Sequence, residues 1–120
     1  MTLRLRVAAS ILFASAGALH AQSFPTKPVR IIAPFPAGGG LDITARTFGQ
    51  KFAEYWGQSV VIENRPGADF VIAAEACARA KPDGYTMCML LRDNMSILPL
   101  LRKLPYDPDK DLVPVTNMVN

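Results

Sequence analysis

Val29-Arg30-Ile31-Ile32-Ala33-Pro34-Phe35-Pro36-Ala37-Gly38-Gly39-Gly40-Leu41-Asp42 places an apolar strand, a stiff Pro-x-Pro exit, three glycines and a helix start in direct succession. Glycines lack a β-carbon, so a ligand can approach their main-chain N–H groups closely. The helix that follows adds unpaired N–H donors and partial positive charge. Such a turn can seat a small carboxylate without help from Lys or Arg. The bland alternative is a plain flexible strand-to-helix turn, and the flanking prolines count against mere flexibility. A nucleotide phosphate loop fits badly, because no Gly-Lys-Ser/Thr follows and the glycines at 38–40 lack G-x-G-x-x-G spacing.

Leu41, Ala45, Phe48, Phe52 and Tyr55 then recur at helical spacing as one apolar face, and Gly57 ends the helix. Residues 59–63, rich in β-branched side chains, predict a second strand closed by the turn Asn64-Arg65-Pro66-Gly67. Asp69 is the expected cap of a second helix whose Phe70, Ala73, Ala74, Cys77 and Ala80 share a face. Lys81-Pro82-Asp83-Gly84 stops that helix. Residues 85–91 read as a third strand, followed by the polar loop Arg92-Asp93-Asn94-Met95-Ser96. Ser96 is placed to cap a short helix with Pro99 in its first turn.

Strand, helix, strand, helix, strand with short connections predicts right-handed crossovers and an α/β fold with a parallel, doubly wound sheet. Ligands of such sheets sit beyond the carboxyl ends of the strands. Two loops therefore become candidates on geometry: the one after the first strand, with Phe35, Ala37, Gly38, Gly39, Gly40 and Asp42, and the one holding Arg92, Asp93, Asn94 and Ser96. Asp42 has two readings, a ligand contact or a first-turn acid that complements the helix dipole, and the second is favoured. Arg92, Asp93 and Asn94 read either as a solvated loop or as ligand contacts. Tyr55 and Trp56 fit helix-face core better than a binding platform.

The amino-terminal stretch has the plan of a secretory signal. Arg4 and Arg6 supply a basic start, an apolar Ala-rich core runs to Leu19, and small residues follow. Ala16-Gly17-Ala18 fits the cleavage rule best and would start the mature chain at Leu19. Cleavage after Ala21 gives a polar start at Gln22 and is slightly favoured. The apolar core is shorter than the roughly 20 residues needed to span a bilayer. A soluble, exported, periplasmic protein is expected. Cleavage after Ala21 changes thirteen basic residues against ten acidic into eleven against ten and removes the only histidine. The near-neutral remainder argues against nucleic acid as a partner. Without histidine, Ser or Cys hydrolase chemistry and zinc chemistry both weaken, and no cofactor or metal is implied. Cys77 and Cys88 can meet across a helix-turn-strand unit in an oxidising compartment, or remain two buried thiols.

Phe24-Pro25-x-Lys27-Pro28-Val29-Arg30, the 34–42 loop, Val61-Ile62-Glu63-Asn64-Arg65-Pro66-Gly67-Ala68, Pro82-Asp83-Gly84-Tyr85-Thr86 and Leu104-Pro105-Tyr106-Asp107-Pro108 occur in order. This set resembles the Bug family of extracytoplasmic solute receptors, the substrate-binding components of tripartite tricarboxylate transporters. The resemblance implies a periplasmic-binding-protein-like (type II) fold, two α/β lobes closing on a small carboxylate, and delivery to membrane permease subunits. It implies no catalytic residues and a monomer. It places substrate contacts at Phe35, Ala37, Gly38, Gly39, Gly40 and Asp42, with Arg92, Asp93, Asn94 and Ser96 contributing from the later loop. Leu41 replaces a common Thr or Ser, Asp69-Phe70-Val71 replaces Gly-Gly-Asn, and Arg92-Asp93 replaces small polar residues. Family members run to roughly 300 residues, the size two lobes require. Residues 22–120 are thus expected to be the first part of lobe 1, after a signal peptide at 1–21. The alternatives are an exported α/β enzyme acting on a phosphorylated or acyl substrate, and a non-functional truncation product.

Overall fold

A computed structural model describes residues 24–118, so the expected signal peptide and its cleavage site lie outside the described residues. The elements follow as β1 (Val29–Ala33), α1 (Gly40–Trp56), β2 (Val60–Asn64), a 3-10 turn (Ala68–Phe70), α2 (Val71–Ala78), β3 (Thr86–Cys88), α3 (Arg92–Ser96) and α4 (Leu98–Leu101). The three strands form a parallel sheet in the order β2-β1-β3. Among the described residues no helix is long and apolar enough to cross a membrane.

The register assigns each helix to a face. Val29, Ile31 and Ala33 lie opposite Val60, Ile62 and Asn64, and their side chains share one side because strand side chains alternate. A Cβ added at Gly49 of α1 would stand 3.1 Å from Ile62 Cδ1 and 3.4 Å from Val60, so α1 packs closely on that side. Cys88 of β3, paired with Ile32, points to the other side, where Cys77 of α2 is joined to it by a disulfide. The two helices therefore cover opposite faces, as right-handed crossovers in opposite directions demand. Strand order turns at β1, which puts the topological switch point between the exits of β1 and β3.

The close packing of α1 corrects its expected core face. Its buried positions are Asp42, Ala45 and Gly49, a stripe of small residues plus one acid. Leu41 and Phe48 are exposed and Tyr55 is 87% exposed, while Trp56 stacks on Phe52 with ring centroids 4.9 Å apart. Small side chains let the helix approach the sheet, which turns the aromatic row sideways. Gly57 closes the helix in the left-handed conformation, at φ 66°, as expected.

Other boundaries move for local reasons. β2 begins and ends one residue later than expected, taking in Asn64. β3 is three residues long rather than seven, because its neighbour β1 ends at Ala33, before Pro34, and its other edge is unpaired among the described residues. Asp69 is not a helix cap. Ala68, Asp69 and Phe70 all hold positive φ (47°, 52° and 68°), and Phe70 occupies the N-cap position of α2. The expected loop at 92–96 is instead the short helix α3, and Ile97, not Ser96, precedes α4 with Pro99 in its first turn.

A second core lies beneath α2, where Ala74, Tyr106 and Leu112 pack with Leu90, Met95 and Leu104. At the amino ends of the strands, two of the quoted motifs meet. Thr26 N–H donates to the Tyr85 hydroxyl at 3.0 Å, Lys27 pairs with Asp83 at 3.4 Å, and Phe24 packs on the Tyr85 ring.

Candidate functional site at the carboxyl ends of the strands

The chain leaves β1 through Pro34 and the buried Phe35, and then turns outward. Residues 36–41 are exposed. Gly38 holds φ 86°, which other residues rarely adopt, so glycine is required there by backbone conformation. Gly40 opens α1, and a Cβ on it would meet nothing within 4 Å, so its surroundings are clear for a ligand. The first helical hydrogen bond runs from Ile43 N–H to the Gly39 carbonyl, leaving the N–H groups of Gly40, Leu41 and Asp42 ahead of it at the helix mouth.

Asp42 organises this turn from inside. Its Oδ2 accepts from Gly38 N–H at 2.9 Å and from Arg46 Nε at 2.9 Å, and its Oδ1 accepts from Asn64 Nδ2 at 2.8 Å. The same Asn64 amide donates to the Phe35 carbonyl at 3.0 Å, and its Oδ1 accepts from Arg46 at 3.1 Å. The Arg46 bond first, then Gly38 N–H and Asn64, push the Asp42 carboxyl down from 3.8 to about 2. Asp42 is thus an ionised internal acceptor, and the Gly38 N–H it takes is not free for a ligand. Asp42 stands in the first turn of α1 with its carboxylate turned onto Gly38, Arg46 and Asn64.

The later loop divides. Arg92, Asp93 and Ser96 are exposed and line the same groove as Phe35 and Leu41, a space of about 1430 Å³ that also runs along the aromatic side of α1. Asn94 is fully buried. Its carbonyl accepts from the Tyr106 hydroxyl at 3.0 Å, its amide reaches the Asp69 carbonyl at 3.4 Å, and its Oδ1 has no partner among the described residues. Asn94 therefore ties the turn after β2 to α3 and to the 104–112 segment. Phe70 from that turn meets Phe35 edge-on at 5.9 Å between ring centroids, which joins the exits of β1 and β2.

Asn64 and Arg46 are the site-shaping residues that the sequence reading missed. Arg46 stands four residues after Asp42, which is helical ion-pair spacing and therefore a usable signal. Asn64 reads in the sequence as a turn residue, and the one-residue shift of β2 brings its side chain beside Asp42. Cys77 and Cys88 are joined by a disulfide, with Cα atoms 6.2 Å apart.

Residues 44–120 match the model of the "Tripartite tricarboxylate transporter family receptor". A UPF0065 protein of Bordetella bronchiseptica is 40% identical over 116 residues, covering 96% of this chain and 35% of that protein. Protein BugT of Bordetella pertussis is 36% identical over 121 residues, covering 94% and 36%. The chain thus spans about a third of the length of the curated relatives it matches. Among solved structures, MatC from Rhodopseudomonas palustris with bound malate superimposes with a TM-score of 0.66 at 38% identity, over 73% of this chain and 30% of that one. R. palustris Rpa4515 with adipate gives 0.63 at 36% identity, over 72% and 29%.

Proposed function

We propose that this chain, which belongs to the tripartite tricarboxylate transporter receptor family, supplies one wall of a periplasmic binding site for a small carboxylate. The bound solute is handed to membrane permease subunits, and the chain performs no catalysis of its own. The observation that carries this reading is the exposed turn at 37–40, pinned from below by Asp42 and Asn64 and opening onto the amino end of α1. N–H groups and a helix dipole aimed outward from a fixed turn favour a negative charge. Two relatives of the same fold carry malate and adipate, both carboxylates, which supports the ligand class.

The test is nuclear magnetic resonance titration of the isotope-labelled chain with mono-, di- and tricarboxylates at millimolar concentration. The expected result is a saturable shift of the Gly39 and Gly40 amide signals. Affinity is weak in this chain alone, because a single wall leaves the ligand hydrated. No shift at these amides with any carboxylate overturns the reading.

A further inference from the structure

We infer that Arg102 is the latch of a two-state turn at 68–70, and that this latch controls how firmly the exit of β1, and with it the glycine turn, is held. The latch is a property of the fold and does not depend on which ligand the glycine turn takes. Ala68, Asp69 and Phe70 hold φ of 47°, 52° and 68° in succession. Side chains with a β-carbon disfavour that backbone, Asp less than Ala or Phe, so three in a row persist only where contacts from outside the turn hold them. Arg102, which closes α4, supplies two. Its Nη2 donates to the Ala68 carbonyl at 3.3 Å and lies 3.2 Å from Asp69 Oδ2. Asn94, buried in α3, adds its amide bond to the Asp69 carbonyl.

The grip of Arg102 is light. The Asp69 side chain is 75% exposed and that of Arg102 43%, and an exposed ion pair stabilises little. Backbone strain opposes it, so the margin between latched and released forms is narrow and small changes in the grip move the population. Phe70 carries the state of the turn onward. Its N–H donates to the Gly67 carbonyl at 2.9 Å, and its ring meets Phe35 edge-on. A turn that leaves left-handed backbone breaks the first contact and swings the ring away from the second. Phe35 is also the residue whose carbonyl Asn64 holds, and Asn64 shares the Asp42 carboxylate with Gly38 N–H. Contacts therefore run without a break from Arg102 to Gly38, with a bistable turn among them.

The experiment follows amide hydrogen exchange in the 120-residue chain by nuclear magnetic resonance. Arg102→Gln is expected to quicken exchange at Phe70 about two- to fivefold, the range of one exposed ion pair, and to quicken Gly38 in the same direction while Ile31 and Ile32 of β1 stay unchanged. Salt should reproduce the effect in the parent chain and add little in the variant, because it screens exposed charges. Arg102→Lys, which keeps the charge, should recover part of the protection. Ala68→Gly, which removes a preference against left-handed backbone, should restore it in the Arg102→Gln chain. Arg79→Gln, which breaks the pair with Glu75 on α2, should leave both amides as they are. Unchanged exchange at Phe70, or equal quickening throughout β1, overturns the latch. Quickening at Phe70 with Gly38 unmoved overturns its reach to the glycine turn.

Discussion

Asn64 Nδ2 donates to Asp42 Oδ1 at 2.8 Å, although the two residues lie 22 apart and on different elements. One amide at the carboxyl end of β2 thereby fixes the first turn of α1. With its second bond, to the Phe35 carbonyl, it also fixes the exit of β1. Both ends of the exposed turn are therefore held from the neighbouring strand. That is how a stretch with three glycines keeps a defined shape.

Asn64→Ala removes both bonds, together with the one Asn64 accepts from Arg46, and leaves a nearly buried carboxylate and a carbonyl short of a donor. Loss of a partner at such groups costs about 1–3 kcal/mol. Chemical denaturation should show that loss. Amide exchange at Gly38 should quicken more than exchange in β1, because the turn loosens before the sheet does.

Acid should weaken the same turn. A carboxyl whose pKa is depressed in the folded state contributes stability that is complete above its unfolded value and is lost as pH falls through its folded value. For Asp42 that window runs from 3.8 down to about 2. Melting temperature followed over this range should fall, and Asp42→Asn should flatten part of the fall. The remainder belongs to carboxyls also held down by their partners: Glu54 by Lys51, Glu63 by Arg65, Asp83 by Tyr85 N–H, and Asp107 by Lys110.

The disulfide closes an 11-residue separation between α2 and β3. In the chain-entropy account such a loop contributes roughly 3 kcal/mol. Reduction, or a Cys77→Ser/Cys88→Ser double variant, should lower the unfolding free energy by about that amount. The signals of Cys88 and Leu90 should broaden first, since among the described residues β3 has only one strand beside it. An unchanged denaturation midpoint on reduction would contradict this.

Ala68, Asp69 and Phe70 hold left-handed backbone with ordinary side chains. Such a residue costs about 1–2 kcal/mol relative to a right-handed one. Ala68→Gly, at an exposed position, should therefore stabilise the chain by about 1 kcal/mol. Phe70→Gly relieves the same strain but removes the edge-on contact with Phe35 and should destabilise it. Opposite shifts in melting temperature for the two glycine variants are the expected signature.

Much of the fold was legible because its signals are local. Val29–Ala33 reads as a strand from its own residues, and Gly57 as a helix end from its own freedom at positive φ. The aromatic row of α1 misled, since helical periodicity reports an apolar face without saying what covers it. The small stripe Asp42, Ala45, Gly49 wins the sheet because Val60 and Ile62 pack where a larger side chain would clash. The 68–70 turn was illegible for a related reason. Asp69 tolerates left-handed backbone, but nothing in Ala68 or Phe70 favours it, and three such residues in a row are not announced by the sequence.

The sequence by itself determined the parallel α/β plan, the position of the glycine turn at a strand's carboxyl end, and the family resemblance, all of which depend on residue order and spacing. Tertiary structure alone decided which members of that turn face outward. It turned Asp42 inward onto Gly38, Arg46 and Asn64, buried Asn94 under Tyr106, and left Arg92 without a carboxylate among the described residues. The physical reason is that hydrogen-bond partners far apart in the chain compete for each polar group, and only the folded register of β1, β2 and β3 settles which partner is within reach.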